Sequence, residues 1–98
     1  MSVSVYILYS ASLDLFYTGF TTGSVLDRLE KHNMYYYNDA FTSRAKDWQI
    51  FLTIECKSDK QARLIESHIK RMKSRTYILN LKKYPNIIQQ LFSKYVEN

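Results

Sequence analysis

The sequence predicts an α+β domain: a small three-stranded antiparallel sheet covered by helices, in the order β-β-α-β-α-α with a further C-terminal helix. Three observations predict it. Val3, Val5, Ile7 and Tyr9 alternate with Ser4, Tyr6, Leu8 and Ser10, the period-two pattern of a strand rich in β-forming residues. A second such run, Leu15 to Phe20, follows so closely that the two can only pair as an antiparallel hairpin. Ser24, Ser58 and Ser74 then stand ahead of stretches with helical spacing, as N-caps do. Strands paired locally and helices gathered on the sheet define the class.

Each element follows from its own residues. Ala11 to Asp14 is the hairpin turn, and the second strand breaks at Thr21, Thr22 and Gly23. Ser24 caps the first helix, with Asp27 three residues on as its box partner, and the helix buries Val25, Leu26 and Leu29. At about 100° per residue, Arg28 and His32 stack one turn apart on one flank of that stripe. Asn33 is the stop signal. From Met34 to Lys46 the pattern is irregular, with Tyr35, Tyr36 and Tyr37 in series, which reads as a loop with a short turn. Trp48 to Cys56 alternates again and puts Ile50, Leu52, Ile54 and Cys56 on one face of a third strand.

Ser58 and Gln61 form a capping box ahead of a long helix whose core stripe is Ala62, Ile65, Ile69 and Met72. Glu66 falls at the edge of that stripe, with Lys70 and Lys73 further along nearly the same side. Ser74 caps a helix carrying Tyr77, Ile78 and Leu81. Pro85 ends it and starts a last helix through Ile87, Ile88, Leu91, Phe92 and Tyr95.

Ninety-eight residues leave no room for a second core, so residues 1–98 read as one domain, with a core of about 3–83 and a helical extension at 85–98. A 46% hydrophobic content excludes wholesale disorder. No apolar run approaches the roughly 18 residues needed to cross a membrane, and no basic residue precedes the apolar patch within Met1 to Ser10, so neither a span nor a signal peptide is expected. The expectation is a soluble, cytoplasmic domain. Cys56, the lone cysteine, excludes an internal disulfide and a cysteine-based zinc cluster. The net charge of +5 is unevenly placed. Residues 1–56 hold four basic against six acidic side chains, while residues 57–98 hold ten against three. That asymmetry suits a polyanion, nucleic acid before membrane, although a solvated basic face would look the same.

Most catalytic templates fail. With only Gly19 and Gly23 no phosphate-cradling loop can be built. Cys56 lies inside a strand and reads as a small core residue, and His32 and His68 are too few for a zinc site without cysteines. What remains is a set of Tyr, Arg, His, Glu and Lys on adjoining elements.

Val5, Tyr6 and Ile7, followed by Tyr17, Thr18 and Gly19, resemble the paired tripeptides of the GIY-YIG nuclease superfamily. The likeness continues in order to about residue 83. Thr21 follows the second tripeptide in the family fashion, and Arg28, Leu29, His32 and Asn33 resemble the first-helix motif. Trp48 opens the third strand, and Glu66 sits in the next helix ahead of a Lys-rich turn. Val5 replaces the Gly of the first tripeptide and Thr18 the Ile of the second; Asn80 is no clear match for the Asn some relatives carry beyond the Glu. The chain resembles the minimal single-domain bacterial members related to the nuclease domain of the excision-repair incision subunit.

The resemblance implies metal-assisted hydrolysis of a DNA phosphodiester, structure-directed and serving repair or processing. It implies Glu66 as the protein ligand of one Mg²⁺ or Mn²⁺, which a single carboxylate can hold together with waters and phosphate. It implies Tyr6 as general base, Tyr17 beside it, Arg28 on the scissile phosphate and His32 assisting through Tyr6 or the phosphate. Each residue also has an ordinary reading: Glu66 paired with Lys70 or Arg63, Tyr6 packed under a helix, Arg28 on a helix face and His32 complementing the helix dipole. Whether Tyr6 and Tyr17 share a face depends on a register the residues leave open. Lys70, Arg71, Lys73, Arg75, Lys82 and Lys83 form a candidate DNA-tracking surface, with Arg44 and Lys46 beside the tyrosine run as residues that could meet bases. No recognition helix or zinc finger is evident, so the expectation is a preference for DNA shape or breaks over sequence, or a borrowed partner. Two other readings stand beside the nuclease: a non-cleaving nucleic-acid binder on the same fold, and an interaction module whose C-terminal helix meets a partner or a second copy.

Overall fold

The computed structural model describes residues 3–34 and 41–96. Strands β1 (Val3–Ser10) and β2 (Leu15–Thr21) form the hairpin; α1 (Val25–Asn33), a 3-10 turn (Phe41–Arg44), β3 (Trp48–Cys56), α2 (Asp59–Met72), α3 (Arg75–Lys83) and α4 (Asn86–Lys94) follow. The sheet order is β2-β1-β3 and both pairings are antiparallel. The expected α+β class and three-stranded sheet are what the chain forms. The Tyr35 to Tyr37 run lies outside the described residues.

Strand β1 is central, and its alternation feeds two separate apolar clusters. Val3, Val5 and Ile7 face Ile54 and Cys56 of β3, Ala62, Ile65 and Ile69 of α2, Leu81 of α3 and Leu91 of α4. Tyr6 and Leu8 face the other way, into Trp48 and Ala45, with Val25 and Leu29 of α1 packed against them. Val5, Ile7 and Leu8 are completely buried, each worth about 1.5–3 kcal/mol, so β1 is the strand the fold is built around. Strand β2 is left as an edge, with α1 on one side of the sheet and α2 on the other.

The expectation that Ile50, Leu52, Ile54 and Cys56 share one face does not hold. Ile7 pairs with Leu52, but Leu8 pairs with Ile50, so Phe51 is an inserted residue that flips the phase of β3. Leu52, Ile54 and Cys56 pack on the α2 side, whereas Ile50 and Trp48 pack on the α1 side. A bulge leaves the alternation of residue types intact, which is why it is invisible in sequence.

All three predicted caps form. The hydroxyls of Ser24, Ser58 and Ser74 accept the amides of Asp27, Gln61 and Tyr77 at 3.2, 3.1 and 3.1 Å. The Gln61 side chain reaches back to the Lys57 amide at 2.8 Å and donates to the Tyr95 carbonyl at 3.1 Å, tying the end of α4 to the start of α2. The apolar stripe of α4 thus packs on the chain's own core, with Ile87, Ile88, Phe92 and Tyr95 beside buried Leu91. Two expected core residues are exposed instead: Leu26 at 68%, off the Val25 and Leu29 stripe, and Met72 at 45%. Met72 ends α2, and the chain leaves through a left-handed Lys73 (φ 46°, ψ 40°). Among the described residues no helix is long and apolar enough to cross a membrane.

Candidate active site

Tyr6, Tyr17, Arg28, His32 and Glu66 line a single cleft of about 200 Å³, together with Gly19 and Phe20. They come from β1, β2, α1 and α2, the two helices packing on opposite faces of the sheet. The cleft lies across the β2 edge: α1 supplies Arg28 and His32 from one side, and Glu66 of α2 reaches it from the other.

The hairpin register decides the tyrosines. Tyr6 pairs with Gly19 and Leu8 with Tyr17, so both phenols stand on the α1 face, with ring centroids 6.4 Å apart. Gly19 is required by contact, not by backbone angle: a Cβ there would stand 2.7 Å from the Tyr6 hydroxyl oxygen and 2.8 Å from its Cζ.

A buried polar chain runs behind the cleft. The Tyr6 hydroxyl lies 3.0 Å from His32 Nε2, and His32 Nδ1 lies 2.5 Å from Thr42 Oγ1. Tyr6, His32 and Thr42 are almost wholly buried. Burial, and secondarily the charge of Arg28, push the His32 imidazole down to about 4, so the ring is neutral near pH 7. A neutral ring donates through one nitrogen and accepts through the other. If Nδ1–H donates to Thr42, Nε2 accepts the Tyr6 proton, and the lone pairs of the phenol are left to face the cleft. Thr42 is held by its own backbone, whose carbonyl accepts the Trp48 indole N–H at 2.9 Å. Asn33 secures the same corner from α1: its amide donates to the Trp48 carbonyl at 2.9 Å and accepts the Trp48 amide at 2.8 Å.

Sequence reasoning missed Thr42. It sits in the irregular tract between α1 and β3, where a lone threonine carries no signal. Asn33, a helix stop and a member of the first-helix motif in sequence, pins β3 to α1 with its side chain.

Glu66 is mostly buried, with 16% of its side chain exposed, and pairs with Lys70 Nζ at 3.3 Å. Among the described residues no group of three or more His, Cys, Asp or Glu side chains gathers into a metal cage. Both His32 nitrogens are already engaged, so the cleft offers one hard carboxylate oxygen donor. That donor set fits Mg²⁺ or Mn²⁺, which keep waters and take one or two carboxylates alongside phosphate, and does not fit a structural zinc.

The expected DNA-binding residues fall into two groups. Lys70, Lys73 and Arg75 line a groove of about 430 Å³ next to the cleft, walled by Phe16, Tyr17 and Phe41. Arg44 lies over the Phe41 ring at 5.1 Å. Arg75 is committed locally: it pairs with the Asp14 carboxylate, donates to the Asp14 carbonyl at 2.9 Å and lies over Phe16 at 5.3 Å. Hydrogen bonds from Tyr9 and Arg75 hold the Asp14 carboxyl below its usual range. Lys82 lies over Phe51 at 4.7 Å, and Lys83 over Tyr84 at 5.4 Å. Lys46 is exposed, and like Lys82 and Lys83 it lines neither the cleft nor the groove.

A phenol backed by a neutral imidazole, with a guanidinium and a carboxylate at the same opening, is equipped for acid–base work on an anionic oxygen ester. Among the described residues no glycine-rich loop stands ready to hold a nucleotide cofactor. The chain belongs to the GIY-YIG family: a family model described as GIY-YIG catalytic domain matches residues 2–82. Members of that family are generally nucleases, typically dependent on a divalent metal, and DNA is the substrate the domain implies. No match was found among curated proteins or among solved structures.

Proposed function

We propose that this chain is a divalent-metal-dependent DNA endonuclease, with Tyr6 as general base, Arg28 as phosphate ligand and Glu66 as metal ligand, acting on DNA shape in repair or processing within the cytoplasm. The observation that carries the reading is the buried Tyr6 to His32 hydrogen bond opening onto a cleft that also holds Arg28 and Glu66. A free tyrosine titrates near pKa 10 and is a poor base at neutral pH. Donating its own proton toward His32 Nε2 makes the Tyr6 oxygen a better acceptor for a proton from the attacking water.

His32 acts as a neutral relay and orienting group, its Nδ1 anchored by the Thr42 hydroxyl. The phosphate gripped by Arg28 offsets the guanidinium charge, one of the two causes that keep His32 neutral, and so eases a transient proton onto the ring. Arg28 suits the scissile phosphate because its planar fork binds two oxygens and keeps its charge. Tyr17, whose ring centre lies 5.0 Å from that of His32, borders the water and phosphate position. A divalent ion held by Glu66 would supply charge stabilisation to the phosphorane-like transition state and the leaving oxygen. Lys70, beside Glu66, is positioned to turn to substrate phosphate.

The Glu66 to Lys70 pair also favours a second reading, in which Glu66 is only the partner of an i,i+4 helix ion pair and the domain binds nucleic acid without cutting. The test is cleavage of labelled duplex, single-stranded, nicked and flap DNAs with Mg²⁺, with Mn²⁺ and with chelator, comparing the parent with Glu66→Ala. Metal-dependent cutting by the parent and none by Glu66→Ala, with low-salt binding retained, is the expected result. Equal cutting by both proteins would overturn the metal assignment, and binding without cutting under every condition would leave the second reading.

A further inference from the structure

We infer that the groove running from the cleft along the outer edge of β2 is a subsite for one unpaired nucleotide of the DNA substrate, seated immediately beside the phosphate to be cut. The inference rests on the nuclease reading for its adjacency to chemistry, but its recognition argument is independent of cutting. At about 430 Å³ the groove lies within the roughly 300–1,000 Å³ range of sites that bind small ligands, enough for a nucleotide and too little for a duplex. Its walls include the aromatic rings of Phe16, Tyr17 and Phe41, and Phe41 is 40% exposed, with the Arg44 guanidinium over its ring at 5.1 Å as a further cation beside the groove. A paired, stacked duplex gains nothing from such walls. An unpaired base does, because every base has a π-face that stacks on an aromatic ring.

Charge selects the occupant. Lys70 and Lys73 stand on the rim, and Arg75, pinned by Asp14, lies on Phe16 as a fixed cationic wall. An apolar peptide would leave Lys73 uncompensated, since only Lys70 and Arg75 have carboxylate partners, whereas a nucleotide brings its phosphate to the lysine rim and its base to the rings. Continuity fixes the position: Tyr17 lines both groove and cleft, and Lys70 lines the groove while pairing with Glu66 in the cleft. A base held there belongs to a nucleotide next to the scissile phosphate. The subsite therefore selects DNA with an unpaired residue at the cut, as at a flap or a single-strand junction.

The experiment is binding of a labelled flap junction and of the matching unbroken duplex, measured by anisotropy in chelator so that no cutting is needed. A 2-aminopurine base is stepped through the unpaired arm to report stacking. Phe41→Ala, Phe41→Trp and Lys73→Asn are compared with the parent; asparagine tolerates the left-handed backbone at position 73 and removes the charge. The parent should prefer the flap and quench 2-aminopurine at one position next to the junction. Phe41→Ala should weaken flap binding by roughly 5- to 150-fold, the usual scale of one base–aromatic stack, lose the quench and leave duplex binding unchanged. Phe41→Trp should restore both, and Lys73→Asn should flatten the salt dependence of flap binding.

Equal affinity of the parent for flap and duplex, or equal weakening of both by Phe41→Ala, would overturn the subsite. The two readings fail separately. Flap preference lost in Phe41→Ala, in a protein that never cuts, removes the nuclease and keeps the subsite. Glu66-dependent cutting in which Phe41→Ala keeps the parental flap-to-duplex ratio does the reverse.

Discussion

Replacing Gly19 by alanine tests the geometry of the cleft most directly. The new Cβ would meet the Tyr6 hydroxyl oxygen at 2.7 Å, where ordinary van der Waals contact begins at 3.4 Å. The phenol must therefore retreat by about 0.7 Å, and it has little room, being 2% exposed with the His32 and Tyr17 rings beside it. Its bond to His32 is 3.0 Å long; a retreat along that line either compresses it or opens it toward 3.7 Å, past useful hydrogen-bond length. Overpacking of this kind costs about 1–3 kcal/mol of stability, and displacing a reacting group by about 1 Å costs on the order of 10²-fold in rate.

The assay is single-turnover cleavage of a flap substrate with Mg²⁺, alongside urea unfolding to show that Gly19→Ala is folded. If the slowing acts through the Tyr6 hydroxyl, adding Gly19→Ala to Tyr6→Phe should slow that variant no further. A folded Gly19→Ala protein that cuts at the parental rate would refute the reasoning, as would slowing that multiplies independently with Tyr6→Phe.

Two further outcomes follow from the same corner of the molecule. His32 is held neutral with its pKa near 4, below the unfolded 6.5, so the unfolded chain binds its proton first as pH falls. Its contribution to stability is complete above about pH 6.5 and is lost progressively down to about pH 4, on the order of 3 kcal/mol in all. Urea unfolding across that range should show the loss, and His32→Gln should remove most of it, leaving the share due to His68, whose pKa burial also lowers; an unchanged slope would sink the assignment. Asn33→Ala should cost about 2 kcal/mol, because it removes two hydrogen bonds and strands the Trp48 amide and carbonyl. Trp48 is the only tryptophan, so its fluorescence reports the unfolding directly, and a loss below 0.5 kcal/mol, the floor for even one such bond, would show that the pin is dispensable.

Much of the fold was legible because its signals are local. A strand announces itself by alternation and a helix by its cap, and Ser24, Ser58 and Ser74 each cap the helix they precede. The order of elements and the candidate residues Tyr6, Tyr17, Arg28, His32 and Glu66 could therefore be named from residues and from family likeness. The exposure of Leu26 and Met72 could not, since helical spacing says which residues share a stripe and nothing about where a neighbouring element stops.

What the sequence by itself determined is the set of elements and the chemical groups they carry. Tertiary structure alone decided that these groups meet. Placing Tyr6 and Tyr17 on one face required the pairing of Tyr6 with Gly19, and a one-residue slip would have turned one phenol to the other side. Glu66 shares a cleft with Arg28 and His32 because β2 is an edge that helices on opposite faces can both overhang. Thr42 joins the chain behind Tyr6 through contacts made across the fold. The bulge at Phe51 sends Trp48 and Ile50 to the α1 side. Register, edges and bulges are relations between segments distant in sequence, and period and propensity describe one segment at a time.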